Sequence, residues 1–229
     1  MNNKNKGQNW AEWNDQMVKK YHSKGAPLES KNLFRRLIEK MRLKEIIKLA
    51  QFQKDDVVLD LGCGEGFLIS LMPNLPKKIV GVDISNIALN RAKKILKGKR
   101  NIELHWGDAE NLEFPNGTFN KIICSELLEH VPRPKKVITE IHRVLKNNGL
   151  LIISIPDEKR IQFIMKIAKI LYMDKFLGAC RKGEKYEWHL HQTDKKFITD
   201  ISQGIFEIKK IYRIPFIVGY NLITTLIKK

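Results

Sequence analysis

Five short runs rich in Ile and Val, VVLDL (57–61), KIVGV (78–82), IELHW (102–106), KIICS (121–125) and LLIISI (150–155), recur along the chain with helix-length segments between them. Parallel strands buried on both faces read as continuous apolar runs, and each return to the same sheet edge requires a crossover, usually a helix. The alternation therefore predicts repeated βα units around a parallel sheet. Two further segments, IFEIKKIYRI and PFIVGYNLITTLIKK, are adjacent and joined through a short Pro-containing connection. They predict a final strand pair with an antiparallel strand closing the sheet. The expected fold class is α/β: seven strands, mostly parallel with the last one antiparallel, and helices on both faces.

The chain of 229 residues has room for one such core plus an embellishment, and reads as a single domain over 1–229. Residues 1–51 form an N-terminal helical cover, 52–157 the strand-rich core, 158–203 an insertion on the substrate side and 204–229 the closing strands. Within the cover, Trp10, Trp13 and Tyr21 mark a short helix or arm. Leu33, Leu37, Met41, Ile46, Ile47 and Ala50 follow at helical spacing and predict an amphipathic helix over 28–51. The insertion carries an apolar and basic helix candidate, IQFIMKIAKILYMDKFL (161–177).

With 43% hydrophobic and 29% charged residues the chain is not disordered. The longest uncharged stretch near the C-terminus, 214–227, has 14 residues and contains Pro215, Gly219 and Asn221, short of the roughly 20 apolar residues of a membrane span. The polar opening MNNKNKGQNW has no apolar signal core, so a cytoplasmic location is expected. Cys63, Cys124 and Cys180 are an odd set without CxxC or zinc spacing, which fits a reducing compartment and small apolar packing roles. The formal charge of +17 is carried by 32 Lys and only 10 Arg spread along the chain, as a lysine-rich compositional habit would produce; the functional alternative is an anionic partner.

The first predicted strand ends in Asp60-Leu61-Gly62-Cys63-Gly64-Glu65-Gly66, followed by a short helical pattern. Glycines at a strand-to-helix turn let the backbone turn tightly and approach a ligand at the helix N-terminus. Asp83 ends the second strand, 21 residues after Gly62, where a carboxylate can accept hydrogen bonds from both hydroxyls of a ribose. Asp108 follows the third strand in Gly107-Asp108-Ala109. Three acids thus stand at the carboxyl ends of three consecutive strands, where open α/β sheets bind ligands.

Together VLDLGCGEG, GVDIS, GDAENLEFPNGTFNKIICSELLEHV and EIHRVLKNNGLLIISIP, all within 57–156, resemble the class I S-adenosylmethionine-dependent methyltransferases, the Rossmann-like small-molecule type that includes the quinone-ring enzymes. The resemblance implies S-adenosylmethionine as cofactor, with S-adenosylhomocysteine as product. It implies that Gly62, Cys63, Gly64 and Gly66 shape the loop around the methionine part while Asp60 holds its amino group. Asp83 would bind the ribose diol, Ile84 would cover the adenine, and Asp108 with the Ala109 amide would read its edge. Cys124 and Ser125 would lie beside the sulfonium. The chain departs from the family in having Asn120 for Asp and Asn147-Asn148-Gly149 for a Pro-Gly or Gly-Gly turn; Asn is a good turn former, so the fold is expected to survive both.

Glu126, Glu129 and His130 follow the fourth strand and share one face if the segment is helical. They are the candidate catalytic residues, with His130 as base or orienting group. Similar clusters hold a divalent cation in quinone-ring O-methyltransferases and small-RNA methyltransferases; the reading adopted assigns no metal. His189 and His191 could reach this site from the insertion, whereas His22, His105 and His142 read as structural or solvated. The Asp/Asn-Pro-Pro-aromatic motif of amino-group methylation is missing and Cys124 lacks a preceding proline, which argues against base methylation. The expected reaction is methyl transfer to a small acceptor, hydrophobic in character, at oxygen, nitrogen or carbon. The alternatives are an RNA acceptor held by the dispersed lysines and a non-catalytic binding module, the latter opposed by the intact Asp60, Gly62, Gly64, Asp83 and Asp108. The apolar basic helix also leaves peripheral membrane contact open, against packing as an ordinary lid helix.

Overall fold

A computed structural model describes residues 10–21, 33–170, 188–214 and 221–228. The chain runs α1 (Trp10–Tyr21), α2 (Leu33–Ala50), β1 (Val57–Leu61), α3 (Phe67–Leu71), β2 (Lys78–Asp83), α4 (Asn86–Ile95), β3 (Ile102–Trp106), β4 (Phe119–Ser125), α5 (Pro134–Val144), β5 (Leu145–Pro156), α6 (Glu158–Ile170), α7 (Lys195–Ser202), β6 (Phe206–Ile214) and β7 (Asn221–Lys228). The strands form one sheet in the order β3-β2-β1-β4-β5-β7-β6. β1, β2, β3, β4 and β5 pair in parallel, and β7 is antiparallel to both β5 and β6.

The expected α/β sheet is therefore present, with one refinement at its closing end. The last strand does not take the edge: β7 inserts between β5 and β6. Burial explains the choice. β7 is buried along its first six residues, whereas β6 alternates and exposes Glu207, Lys209, Lys210 and Arg213. A charged strand suits the edge because its side chains discourage pairing with other chains.

Alternation of side chains along the strands makes two apolar layers. On one face Leu59, Leu61, Ile122 and Ile153 pack with Val137, Ile138 and Ile141 of α5 and Ile198 of α7. On the other, Val58, Ile79, Ile123 and Ile152 pack with Leu43 and Ile46 of α2, Ile69 of α3 and Leu89 of α4. Helices thus cover both faces. The strand order reverses at the β1/β4 boundary, which opens a crevice beyond the carboxyl ends of the strands.

The amphipathic helix predicted over 28–51 is α2, and the second half of its expected face, Ile46 to Ala50, is buried while the first half is not. Leu43, Ile46 and Ala50 are buried, while Leu33, Leu37 and Met41 are 71%, 55% and 40% exposed. Eighteen residues make a helix of about 27 Å. The Arg42 side chain contacts Ser125 at the end of β4, so the turns before Arg42 overhang the carboxyl edge of the sheet. The helix candidate of the insertion appears as α6, starting at Glu158; its continuation to 177 lies outside the described residues. No helix among the described residues is long and apolar enough to cross a membrane. The two departures from the family pattern are absorbed locally: the Asn120 side-chain carbonyl accepts the Val57 N–H at 3.0 Å, and Asn148 takes the left-handed conformation at φ 59°.

Candidate active site

The glycine loop is tied to β2 by two amides, Gly62 N–H and Cys63 N–H, which both donate to the Val82 carbonyl at 2.8 and 3.0 Å. Gly62, Gly64 and Gly66 all have positive φ. The three differ in what surrounds them. A Cβ on Gly62 would stand 3.0 Å from Leu127 Cδ1 and one on Gly66 2.9 Å from Leu96 Cδ1, whereas none of the described residues comes within 4 Å of one on Gly64. Gly62 and Gly66 are glycines for packing as well as for backbone conformation, and Gly64 presents its bare face to open space.

Asp83 supports that loop from the end of β2. Its two oxygens accept the Gly64 and Ser85 amides, each at 2.8 Å, and each oxygen keeps capacity for a further donor. Burial raises its pKa against the pull of these N–H groups. Asp60 is 2% exposed, and its Oδ2 has no hydrogen-bond partner among the described residues. Burial, then the charge of Asp83, push its pKa up to about 7, opposed by Arg42. An orphaned buried carboxylate oxygen is costly unless a donor arrives. The open Gly64 face, the orphaned Asp60 oxygen and the twice-anchored Asp83 fit a ligand that brings a cationic amine to one acid and a pair of hydroxyls to the other.

Beside them, Trp106 pairs with Asp83 across β2 and β3 and donates its indole N–H to the Ile84 carbonyl at 2.8 Å. The ring is half exposed and extends the wall beyond Ile84. Asp108 folds into a local turn, its Oδ1 accepting the Glu110 amide at 2.8 Å, and Ala109 is buried. Asp15 of α1 accepts hydrogen bonds from the Ser85 hydroxyl and the Ile87 amide, pinning α1 over the start of α4. Cys63 and Cys124 are buried, and burial pushes both thiols up, so neither is a reactive thiolate. Cys124 packs in the core, and Cys180 lies outside the described residues.

A second cluster follows β4. The segment from Glu126 to His130 is a turn and not a helix, so the expected single helical face is not formed. Glu126 is held at φ 53° with its amide bonded to the Ser154 carbonyl, and its carboxylate accepts Asn221 Nδ2 at 2.8 Å. A non-glycine residue in that region stores strain, as functional positions often do. Glu129 is fully buried, with Oε1 4.0 Å from His130 Nε2.

Residues 188–191 lie across this turn. Leu190 N–H donates to the Glu129 carbonyl at 2.7 Å, His130 Nδ1 to the Trp188 carbonyl at 3.0 Å and His191 Nε2 to the Val131 carbonyl at 2.9 Å. His189 Nδ1 bonds to Glu158 Oε1 at 2.5 Å. Of the two histidines expected to reach back, His189 therefore joins the cluster and His191 anchors the segment. Glu129, His130 and His189 bring potential ligand atoms within 4.8 Å of one another; Glu126 is turned toward β7. His105 pairs with Glu103 on the surface, His142 packs on Phe206, and His22 lies outside the described residues.

Arg42 is a site residue that the sequence reading passed over. It is 5% exposed, bonded to both Glu39 oxygens and to the Ser125 and Ser154 hydroxyls at the ends of β4 and β5. Burial opposes its charge, but Glu39, Glu126 and Glu129 prevail and hold its pKa above the ordinary value. The available signal was a lone charge at i of the i, i+4, i+8 series Arg42, Ile46, Ala50, all buried.

Two outcomes follow from these charges. Arg42→Met should lower the unfolding free energy by about 3–5 kcal/mol, because it strands buried carboxylates, and adding Glu39→Met should recover part of that loss in urea melts. Asp60 is held near 7 in the folded state against about 3.9 unfolded. The folded state binds that proton more tightly, so this group's contribution is present at acid pH and is lost as pH rises from about 4 through 7. Asp60→Asn should accordingly leave stability near the parent's below about pH 4 and exceed it by a margin that widens as pH rises to about 7.

Proteins of known sequence and structure resemble the chain on both counts. The ubiquinone biosynthesis O-methyltransferase of Schizosaccharomyces pombe mitochondria is 35% identical over 103 residues, 42% of this chain and 36% of the relative. That of Thiobacillus denitrificans is 29% identical over 122 residues, 52% of this chain and 53% of the relative. The chain spans less than two thirds of the length of these relatives. Among solved structures, the N-methyltransferase NodS of Bradyrhizobium japonicum with S-adenosylhomocysteine superposes with a TM-score of 0.68 at 14% identity, over 96% of this chain and 99% of that one. An S-adenosylmethionine-dependent methyltransferase of Aquifex aeolicus gives 0.62 at 18% identity, over 84% and 97%. These likenesses show the shared fold. A family model described as a methyltransferase domain matches residues 52–212, well over half of the sequence, and the chain belongs to that methyltransferase family.

Proposed function

We propose that the chain transfers the methyl group to a small molecule whose reacting atom meets His130 beyond the carboxyl ends of β1 and β4. The observation that carries this reading is the closure of residues 188–191 over the β4 turn, which sets an imidazole beside a buried carboxylate next to the glycine loop.

For the cofactor, Asp60 receives the amino group, the loop of Gly62, Cys63, Gly64 and Gly66 passes under the methionine part and Asp83 takes the ribose hydroxyls. Ile84 and Trp106 would hold the adenine, with Asp108 and the Ala109 amide for its edge, and Ser125 would serve the sulfonium end. S-adenosylmethionine supplies a methyl on a sulfonium whose leaving thioether is neutral, so positioning of the acceptor dominates. The chain's own part is then to hold and deprotonate that acceptor. A carbonyl can only accept, so His130 Nδ1 carries the hydrogen given to Trp188, and Nε2 keeps a lone pair. A proton taken up at Nε2 sits 4.0 Å from Glu129, whose charge stabilises the imidazolium. Glu126 acts on the placement of β7 through Asn221.

The convergence of Glu129, His130 and His189 favours a second reading, in which these groups hold a divalent cation that polarises an acceptor hydroxyl. His189 then presents Nε2 while the Glu158 carboxylate, bonded to Nδ1, fixes the ring's tautomer and orientation. Chelation separates the two.

S-adenosylhomocysteine at 100 times its dissociation constant should add about 2.7 kcal/mol of stability, and Asp83→Asn should remove most of that gain. A protein stabilised by NAD and indifferent to S-adenosylhomocysteine would overturn the cofactor assignment. Incubation with methyl-labelled S-adenosylmethionine and an extract of source cells should put label in the small-molecule fraction. His130→Gln should slow that labelling about 100-fold or more, and EDTA should leave it unchanged. Label in RNA would mean that the acceptor class is wrong, and loss of activity with EDTA would select the metal reading.

A further inference from the structure

α6 is a helix with apolar side chains that the fold does not use. It leaves the carboxyl end of β5, and among its described side chains Ile161 is the buried apolar one, while Phe163 is 62% and Ile167 41% exposed. Phe163 and Ile167 are one helical turn apart and share a face. The overhanging turns of α2 show the same pattern, Leu33, Leu37 and Met41 standing exposed at i, i+4 and i+8. Both helices meet the same edge of the sheet. α6 starts two residues after β5 ends at Pro156, and α2 reaches that edge where Arg42 meets Ser125.

Cations surround the root of α6. Lys159, Arg160, Lys195, Lys196 and Arg213, with Phe163 at the rim, line a cleft of about 360 Å³ between α6, the start of α7 and the end of β6. The two acids in its wall are already engaged. Asp157 accepts the Arg160 amide at 3.3 Å and faces Arg213 at 3.5 Å. Asp194 pairs with Lys159 and caps α7 through the Phe197 amide at 2.8 Å. Lys195 and Lys196 have no ion-pair partner among the described residues, and both are exposed.

We propose that this end of the protein docks on a membrane surface rich in anionic phospholipid, the cleft cations meeting headgroup phosphates while Phe163, Ile167 and the overhanging Leu33, Leu37 and Met41 enter the acyl boundary. Charge complementarity chooses the partner's sign, and the exposed aliphatic side chains choose a bilayer over RNA. A nucleic acid strand uses lysines and stacking aromatics, and exposed Leu, Ile and Met beside them gain nothing from phosphate or ribose. At an anionic interface the same combination is favourable twice, by apolar burial and by attraction of each basic side chain. The docking face does not depend on which acceptor the enzyme methylates.

The test is co-sedimentation of the full chain with vesicles of phosphatidylcholine alone and of phosphatidylcholine mixed with phosphatidylglycerol. Binding should appear with the anionic vesicles only and weaken as salt is raised. Lys195→Glu with Lys196→Glu should reduce partitioning about tenfold or more, and Phe163→Asp should reduce it as well. Both variants should keep the thermal shift with S-adenosylhomocysteine, which shows that they are folded. Equal binding to both vesicle types, no binding to either, or binding that the variants leave intact overturns the proposal. So does competition by millimolar inorganic phosphate, which would make the cleft a site for small anions. Binding of an RNA oligomer that the lysine variants abolish, with no binding to vesicles, would assign the face to nucleic acid instead.

Discussion

One buried guanidinium allows the acids of this site to exist together. Asp60, Glu126 and Glu129 converge on the crevice where β1 and β4 part, and two of them are almost wholly withdrawn from water. Carboxylates so placed would protonate or repel, since an uncompensated buried charge is costly. Arg42 supplies the compensating charge, and Glu39 and the Ser125 and Ser154 hydroxyls orient it. It does so incompletely at Asp60, whose proton is still held up to about 7. That residual imbalance suits an incoming amine: the one acid in the glycine loop left short of donors is the one that a cationic ligand would satisfy.

The source of that counter-ion also explains the shape of the chain. Residues 52–212 carry β1 to β5 and most of β6 with the loops at their ends, but Arg42 and Glu39 come from α2 and Asp15 from α1, both before that segment. The N-terminal helices complete the site electrostatically at one acid and mechanically at the Ser85 turn. Asn221 of β7 does the same from the other end by holding Glu126. The crevice is thus assembled from three separated parts of the sequence around a core that fixes their positions.

Much of this was legible in the sequence. Local rules sufficed for the five parallel strands because each predicted run is short and flanked by helix-length segments, and β1 and β3 coincide with the predicted runs. The acids Asp60 and Asp83 were legible because a carboxylate at a strand's carboxyl end beside glycines has few structural uses. What escaped depends on distance in three dimensions. Helical spacing identified α2, but Leu33, Leu37 and Met41 satisfy the same period as a buried face, and only the position of the sheet edge decides that they overhang it. Arg42 looked like one of many basic residues in a lysine-rich chain. The spacing of Glu126, Glu129 and His130 suited a helix; the backbone instead turns at Glu126, and the third member of the cluster, His189, arrives from 59 positions further along the chain.

The closing end of the sheet shows how one burial preference orders the rest. β7 is buried on both faces and takes the interior, so the charged β6 becomes the edge and its end, with Arg213, lies beside the root of α6. Had β6 and β7 taken their sequence order, Asn221 would not reach Glu126, and Pro156 would face β6 instead of the first residue of β7. The inversion therefore does two things at once. It pins the strained Glu126 turn from beneath, and it gathers the cations of α6, α7 and β6 at the same edge as the apolar overhang of α2. Burial of one strand is what sets the Glu126 turn and the basic cleft at the same end of the sheet.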